Sequence, residues 1–533
     1  MKYSILASRW LRFIIIFLLV VSGFFHFFNL DKKVYWHDEV YTSMRAAGFT
    51  RDEIDQELFQ NRIVPAPQLQ KYQQIKPGST PADTIKSLAI EDPQHPPLYF
   101  LIARFWMQAF GSSLAASRAL PVLFSLLALP LMYGLARELF ASRIVATLAT
   151  ALLAISPFDI LFAQTARQYS LLTATIIGSS FLLLRALRLP TWQNWALFTL
   201  ANTIGWYTHP FFGLTVVGEG VYVLLLLITG KKQEAPKALQ AVIKFFLAVF
   251  CSLLLYLPWI IVLITNYQRA SATTDWTKVN VEFIYLVKLW ILSFSSLFLD
   301  LDFGFDSVWT YLLRLTVILV IGIAIYTLCR RTSRATWLFI LTSIFVPFLM
   351  LVLPDLLLGG KRSGVSRYLI SCYLGIQLAV AYLLATKILD GRRVWRGVMM
   401  LLMSGAIASC TVSAFSDSWW NRDLSYFNAE VVRRINATSS AVVISEIGDD
   451  YTNTGDLISM SYLLHDDVSL LLLSQPPQLE NVKSLLPDSI EPFVFRPSKK
   501  FVESLKPEQG QLVQVFPEAR LWQIKKQYSS VKD

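Results

Sequence analysis

Residues 238–265 read ALQAVIKFFLAVFCSLLLYLPWIIVLIT, and Lys244 is the one charged residue among them. A helix needs about 20 consecutive apolar residues to cross the hydrocarbon core of a bilayer. A surface helix of a soluble protein would place polar residues at a period of 3.6, but this stretch is apolar on all sides. The stretch therefore predicts a membrane-spanning helix.

Similar apolar runs recur along the 533 residues, separated by short basic clusters. Hydrophobic residues make up 54% of the chain and charged residues 16%, whereas charged residues are about a quarter of an ordinary soluble protein. The net charge of +11 does not indicate nucleic acid binding, because the basic residues lie between apolar runs and not on one soluble face. The composition predicts a polytopic integral membrane protein, which we expect to lie in the cytoplasmic membrane.

The four cysteines form no disulfide or zinc-binding pattern. They fall in or at the ends of apolar runs, and we interpret Cys251, Cys329, Cys372 and Cys410 as small packing residues. No signal-peptide cleavage pattern follows the first apolar run, so we expect that run to remain as an anchor.

Six basic clusters predict the topology, because basic residues collect on the cytoplasmic side of a membrane. If all six are cytoplasmic, the chain has eleven spans, with its N-terminus inside and its C-terminal tail outside. The clusters are Lys2/Arg9/Arg12, Arg137/Arg143, Arg185/Arg188, Lys231/Lys232/Lys237, Arg330/Arg331/Arg334 and Arg392/Arg393/Arg396. The predicted spans are 9–30, 117–137, 143–163, 168–188, 192–208, 211–229, 238–265, 307–329, 336–357, 366–388 and 394–415.

Two shorter apolar stretches, 98–110 and 284–299, are predicted to lie on the outer surface as interfacial helices. Counting both as spans gives thirteen, but it moves the cluster at Lys231, Lys232 and Lys237 to the outside. The odd number of spans, and so the outer position of the tail, is the same in both cases.

The predicted fold is an α-helical polytopic membrane protein of 11 to 13 spans with a small extracytoplasmic α/β domain at its C-terminus. Residues 1–415 form the transmembrane domain, with a long first outer loop at 31–116, and residues 416–533 form the second domain. The tail alternates strand-like and helical runs. The strand-like runs are Ala441–Glu446, Val468–Ser474, Leu512–Phe516 and Arg520–Ile524, and the helical runs are Tyr426–Ile435 and Gly455–Leu464.

Polar residues that a lipid-facing span would not need are concentrated at the outer ends of the predicted spans. Each has a non-functional alternative, such as a solvated loop, a helix break or an arginine that reaches the lipid headgroups. Their location on one side of the membrane favours a shared site. They lie in Tyr35–Glu39, Gln94–Tyr99, Ala166–Tyr169, Tyr207–Pro210, Lys361–Arg362 and Arg367–Tyr368. Glu219, within the sixth predicted span, is an intramembrane carboxylate that is either functional or paired with another helix.

Together these motifs resemble those of the GT-C membrane glycosyltransferases, in particular the family 39 type, which includes protein mannosyltransferase-like and aminoarabinose-transferase-like enzymes. The resemblance covers roughly residues 1–220, with a looser similarity at Arg367-Tyr368. In order, the motifs are Trp36-His37-Asp38-Glu39, His95-Pro96-Pro97-Leu98-Tyr99, Phe110-Gly111 with Arg118, Arg167-Gln168-Tyr169, and His209-Pro210.

The resemblance implies an inverting transfer of a hexose or pentose from a polyprenyl phosphate, with the acidic pair Asp38 and Glu39 carrying catalysis. When the sugar is transferred, the polyprenyl phosphate is the leaving group, and its negative charge needs cations or a metal beside it. The candidate substrate-binding residues are Arg167, Lys361, Arg362 and Arg367 as cations, His95 and His209 as hydrogen-bond donors, and Tyr169.

The acceptor hydroxyl needs a base, and one carboxylate suffices for that purpose. Neighbours in sequence point in different directions, so we expect Asp38 as the base and Glu39 as an orienting residue. A divalent metal bound by Asp38 and Glu39 is the alternative role for the pair. The expected partners are a polyprenyl-phosphate sugar, a lipid, protein or glycan acceptor, and the membrane.

The main alternative function is a lipid-linked glycan flippase or transporter. Such a protein should show related halves with broken helices near mid-membrane, whereas this sequence has no visible repeat and its polar residues lie at the outer face. A glycan ligase or polymerase with the same class of donor would differ in its acceptor and not in its topology. A non-catalytic sensor would leave the convergent charges without a role.

Overall fold

A computed structural model describes residues 2–230, 233, 235–448, 452–475, 486, 491–505 and 511–525. The chain forms two compact units. Unit 1 comprises Met1–Leu30, Leu88–Tyr99 and Arg118–Phe415, and unit 2 comprises Asp31–Ser87, Phe100–Ser117 and Ser416–Asp533. Lys231 and Lys232 of the predicted basic clusters lie outside the described residues.

Helices make up most of the described chain. In order they are α1 (Lys2–Phe27), α2 (His37–Ala47), α3 (Arg51–Leu58), α4 (Pro81–Glu91), α5 (Leu98–Phe110), α6 (Leu114–Phe140), α7 (Arg143–Ala154), α8 (Pro157–Ala163), α9 (Tyr169–Arg188), α10 (Trp192–Thr208), α11 (Phe212–Thr229), α12 (Ala235–Thr265), α13 (Tyr267–Ala272), α14 (Phe283–Ser295), α15 (Val308–Arg331), α16 (Arg334–Leu358), α17 (Ile370–Leu389), α18 (Arg393–Phe415), α19 (Asn428–Asn436), α20 (Asn453–Met460) and α21 (Lys499–Leu505).

Each of the eleven predicted spans coincides with a helix or, for 143–163, with the pair α7 and α8. Within the described part of the chain, eight helices are long and apolar enough to cross a bilayer, or nine if the bent pair is one span. The segments 9–30 and 192–208 are helical but fall outside this number. The chain is a multi-pass helical protein, and the total of eleven spans stays a prediction.

The third predicted span is a broken helix and not a straight one. Helix α7 ends at Ala154, α8 begins at Pro157, and the two axes differ by 56°. Proline has no N–H to continue a helix. Ser156 Oγ accepts the N–H of Asp159 at 3.4 Å and so caps the second helix.

The two short apolar stretches form α5 and α14, each of 13 residues. At a rise of 1.5 Å per residue, each is about 20 Å long, whereas the hydrocarbon core is about 30 Å thick. Their length supports the interpretation that they lie at the membrane surface.

Unit 2 contains a six-stranded sheet, whose strands are β1 (Arg62–Pro65), β2 (Val442–Ser445), β3 (Ser469–Leu472), β4 (Phe493–Phe495), β5 (Gln511–Phe516) and β6 (Leu521–Lys525). Their order in the sheet is β1-β3-β2-β4-β6-β5. Strand β2 pairs in parallel with β3 and β4, and the other pairs are antiparallel. In the register of the central strand, Val442 lies opposite Ser469 and Val443 opposite Phe493.

The four strands and two helices predicted in the tail are present, at β2, β3, β5, β6, α19 and α20. Strand β4 and helix α21 were not predicted. Strand β1 was not predicted either: it comes from the first outer loop and pairs with β3, with Val64 opposite Leu470. Pro65 fits this position, because a proline is tolerated on an edge strand. The separate domain at 416–533 stays a prediction, since unit 2 also includes parts of the first loop.

One face of the sheet forms the core of unit 2 with α21. Ile444, Leu471 and Val494 from the three parallel strands pack with Phe501, and all four are fully buried. Burying an aliphatic or aromatic side chain of this size stabilises a fold by roughly 1.5–3 kcal/mol. This core holds the strands of the sheet and α21 together.

Candidate active site

Helix α2 of unit 2 carries the acidic pair in its first turn. Glu39 Oε2 accepts the N–H of Trp36 at 2.9 Å, which satisfies a backbone donor that has no partner within the helix. The positive end of the helix dipole also favours the negative charges of Asp38 and Glu39. Gly48 ends the helix in the left-handed region, at φ 95°. This helix was not predicted from the sequence.

The two acids of the pair lie in different surroundings. Glu39 is fully buried, and its Oε2 lies 3.6 Å from Nη1 of the buried Arg422. Asp38 is half-buried, and it is the one residue of α2 that is not buried. These contacts suit an orienting role for Glu39 and make Asp38 the more accessible carboxylate.

The contacts of Glu39 do not fit a divalent metal. Its carboxylate already faces the guanidinium of Arg422, which is always charged. A metal ion beside it would bring like charges together in a buried site, which is costly. No group of three or more His, Cys, Asp or Glu side chains suited to a metal occurs among the residues that the structure describes.

Four of the candidate binding residues lie together in unit 1. Arg167 Nη2 donates to His95 Nε2 at 3.0 Å. The ring centre of His209 lies 6.1 Å from that of His95 and 6.0 Å from that of Tyr169. The guanidinium carbon of Arg167 lies 5.7 Å from the ring centre of Tyr169. The structure therefore brings three motifs that are distant in sequence into one group.

Helix ends and turns position these side chains. His95 precedes α5, Arg167 lies in the turn between α8 and α9, and His209 lies between α10 and α11. The segment before α5 is held by α12 and α13, because Trp259 Nε1 donates to the carbonyl of Pro93 at 3.0 Å and Arg269 Nε donates to that of Glu91 at 3.0 Å. The segment that carries the candidate residue His95 is thus tied to the long helix α12 and to α13.

Hydrogen bonds define which nitrogens of the two histidines carry hydrogen. His95 Nε2 accepts from Arg167, because a guanidinium can only donate, which leaves the hydrogen on Nδ1, 3.0 Å from Asp92 Oδ2. His209 Nδ1 accepts a backbone N–H from the following turn at 3.1 Å, which leaves the hydrogen on Nε2. Burial lowers the pKa of His209 well below its usual value, and His95, Arg167 and Arg367 lower it further. His209 is therefore a neutral donor, and the positive charge resides on the arginines.

Two further cations lie beside Trp276. The guanidinium carbon of Arg367 is 5.5 Å from the Trp276 ring centre, and Lys361 Nζ is 5.3 Å from it. Both cations are half-buried. We call His95, Arg167, Tyr169, His209, Lys361 and Arg367 the cationic cluster.

Arg362 has different surroundings from the other candidate cations. Its Nη1 lies 3.0 Å from Asp355 Oδ1 and donates to the carbonyl of Gly359 at 3.1 Å. Asp355 is buried, and its Oδ2 accepts the N–H of Ser363 at 2.6 Å. These bonds favour a structural role for Arg362 in the loop between α16 and α17.

Glu219 is paired across two helices. Ser180 Oγ, in α9, donates to its Oε1 at 3.0 Å, and Ser179 Oγ lies 3.3 Å from each carboxylate oxygen. This arrangement agrees with the alternative in which the intramembrane carboxylate joins neighbouring helices.

Three residues that contact the candidate side chains were not singled out from the sequence. They are Asp92 beside His95, Trp276 beside Lys361 and Arg367, and Arg422 beside Glu39. Asp92 has a local signal, because it lies three residues before His95 in the same polar stretch. Trp276 and Arg422 have none, since their partners are far away in sequence.

The family model described as dolichyl-phosphate-mannose-protein mannosyltransferase matches residues 94–262. This region contains His95, Arg167, Tyr169 and His209 of the cationic cluster. No curated protein sequence matches the chain.

Solved structures match the chain over nearly its whole length. The apo structure of ArnT from Cupriavidus metallidurans has a TM-score of 0.54 and 13% identity, covering 97% of this chain and 98% of that one. The same protein bound to undecaprenyl phosphate gives 0.51 and 13%, covering 96% and 98%. The oligosaccharyltransferase of Archaeoglobus fulgidus gives 0.49 and 13%, covering 91% and 68%.

The chain therefore has the fold of ArnT. Together with the family match at residues 94–262, this fold confirms the resemblance to GT-C glycosyltransferases of the family 39 type that was drawn from the motifs.

Proposed function

We propose that the chain is an inverting glycosyltransferase that moves a hexose or pentose from a polyprenyl-phosphate donor to an acceptor hydroxyl at the outer face of the membrane. The observation that carries the proposal is the cationic cluster, in which Arg167 and Arg367 lie with two histidines. ArnT of Cupriavidus metallidurans, which shares the fold, binds undecaprenyl phosphate. We propose a lipid of the same class for this chain.

The cationic cluster suits a phosphate that becomes a leaving group. When the bond from the anomeric carbon to the phosphate oxygen breaks, the phosphate leaves with the electron pair. The fixed charges of Arg167 and Arg367 stabilise it, and an arginine can grip two phosphate oxygens at once. His209 Nε2 offers a further hydrogen bond without a charge. Such a leaving group needs electrostatic stabilisation and not a proton.

Asp38 is the proposed general base. The acceptor oxygen attacks the anomeric carbon, its proton passes to the Asp38 carboxylate, and the phosphate leaves from the other side of that carbon, which inverts the configuration. Asp38 is the accessible residue of α2, whereas Glu39 is buried against Arg422. A single base fits this chemistry better than the two opposed carboxylates of a glycosidase, one of which must protonate its leaving group.

Transfer by purified protein in lipid nanodiscs tests the proposal. The donors are a panel of undecaprenyl-phosphate sugars, the acceptors are lipid, glycan and protein fractions of the cell envelope, and release of undecaprenyl phosphate is the readout. Asp38→Asn keeps the shape of the side chain and removes its basicity. A positioned base is worth about 10²–10⁴-fold, so we expect a loss of turnover of that size.

Asp52→Asn is the matched control, because Asp52 is an exposed acid in the first turn of α3 in the same unit; its turnover should match the wild type. Full turnover by a well-folded Asp38→Asn variant would refute the role of the base. A dead Glu39→Gln variant beside an active Asp38→Asn variant would reverse the assignment within the pair. A flippase would move the donor across the bilayer without releasing undecaprenyl phosphate.

A further inference from the structure

The start of α2 is held by one turn of the segment that follows α18. Arg422 Nη1 donates to the carbonyl of Val34 at 2.9 Å and lies 3.6 Å from Glu39 Oε2. The N–H of His37 donates to Ser425 Oγ at 2.9 Å. Because the Ser425 N–H also donates to the Arg422 carbonyl at 3.1 Å, these two anchors belong to one turn.

A second layer of buried polar groups fixes that turn. Ser425 Oγ donates to Asp456 Oδ1 at 2.8 Å, and Asn428 Nδ2 donates to the same oxygen at 2.7 Å. Arg496 pairs with the other oxygen of Asp456. Asp456 is fully buried. The hydroxyl of Ser425 thus passes the constraint from the Asp456 carboxylate to the first backbone N–H of α2.

The Glu39 anchor also fixes the direction of Asp38. The side chains of Arg422 and Glu39 are 2% and 0% exposed, and a buried ion pair holds its geometry because neither charge can reach water if the two separate. Successive side chains of an α-helix diverge by about 100°. With Glu39 held toward Arg422, the rotation of α2 about its axis is set, and so is the direction in which Asp38 leaves it.

We propose that Arg422 is a positioning residue that acts through Glu39 to aim the Asp38 carboxylate at the acceptor hydroxyl. This inference rests on the proposed function. Arg422 does not touch reacting atoms; it keeps the one accessible carboxylate of α2 at the angle that proton transfer needs. The C-terminal segment therefore supplies part of the catalytic geometry of the first loop.

A double-mutant cycle tests whether Arg422 acts through Glu39. The variants are Arg422→Gln, Glu39→Gln and the two combined. A misplacement of about 1 Å costs up to 10²-fold in rate, so each single variant should lower kcat by about 10- to 100-fold with the donor KM unchanged. The combined variant should be no slower than either single one, because both remove the same constraint. Multiplied losses would show that the two residues act separately.

Arg433→Gln is the matched control. Arg433 is an arginine of the same segment whose pairs with Asp417 and Glu430 are exposed, so kcat should stay at the wild-type level. Arg422→Lys keeps the buried charge and should recover part of the lost rate. A Lys variant as slow as the Gln variant would mean that the guanidinium bond to Val34 is needed as well as the charge.

Hydrogen exchange at the α2 amides gives a readout that does not depend on activity. Exchange over residues 37–41 should be faster in Arg422→Gln and in Glu39→Gln than in the wild type, and unchanged in Arg433→Gln. Unchanged exchange together with unchanged kcat in Arg422→Gln would overturn the inference. Faster exchange in Arg422→Gln, combined with a fully active Asp38→Asn variant, would instead refute the proposed base and leave the anchoring of α2 standing.

Discussion

Replacement of Arg367 should weaken binding of the lipid phosphate with less damage to the fold than replacement of the buried Arg167. Arg367 is half-buried against Trp276, whereas Arg167 is only 3% exposed. A hydrogen bond from a charged group is worth about 1.5–3 kcal/mol, which corresponds to a change in Kd of roughly 10- to 150-fold. We expect Arg367→Met to raise the Kd of undecaprenyl phosphate by that factor. Arg367→Lys should fall between the two, because lysine keeps the charge but loses the planar fork.

The assay is titration of undecaprenyl phosphate into nanodisc-bound protein, with the melting temperature measured for each variant. Arg188→Met is the control. Arg188 is the last residue of α9 and forms an exposed pair with Glu138, and exposed ion pairs contribute little to stability. Its Kd should stay near that of the wild type. Wild-type affinity in stable Arg367→Met and Arg367→Lys variants would show that the cationic cluster does not bind the phosphate.

Two further predictions concern His37 and the topology. Burial lowers the pKa of His37 below 6.5 in the folded state, although Asp456 offsets part of this effect. The contribution of the neutral His37 to the free energy of unfolding is therefore complete above pH 6.5. It is lost as the pH falls toward the folded-state pKa, by about 1.4 kcal/mol for each pH unit between the unfolded and folded pKa values. His37→Phe should flatten the fall in melting temperature below pH 6.5, and an unchanged acid dependence would contradict this reasoning. The topology is tested in a variant without the native cysteines, in which single cysteines replace Lys71, Asp466 or Arg392. An impermeant maleimide should label the cysteines at positions 71 and 466 from the outer side and the cysteine at position 392 from the cytoplasmic side. Labelling of positions 71 and 392 from the same side would contradict the topology.

The helical part of the fold was predictable because each apolar segment carries its own signal. Segments such as 211–229 and 307–329 are apolar except for one charged residue each, Glu219 and Arg314, and the structure has helices at both. The break at Ser156 and Pro157 lies inside one such run, where the hydrophobic pattern does not change. Strand β1 was missed because it has four residues, one of them a proline, and its pairing partner β3 lies some 400 residues further along the chain. Pairing over that distance leaves no mark on the local pattern.

The candidate site was predictable to the extent that topology alone brings residues together. The positive-inside rule places His95, Arg167 and His209 on one side of the membrane, and the structure joins them in one group. The rule cannot distinguish Arg362 from Arg367, because that difference depends on the carboxylate of Asp355. It also cannot reveal the Arg422 pair, since a charge next to aromatic residues just outside a span usually faces the headgroups.

The different surroundings of Asp38 and Glu39 follow from their adjacency in one helical turn. Side chains about 100° apart cannot both face the same reacting atom, so two neighbouring acids on a helix take different roles. The third helical residue can reach back to the backbone N–H before the helix, and Glu39 does so at Trp36. A donor whose leaving group is a phosphate needs no general acid, so the second carboxylate is available as an anchor. The first turn of α2 therefore holds the proposed base together with the residue that keeps it in place, and the buried charge of Arg422 is what makes that anchor rigid.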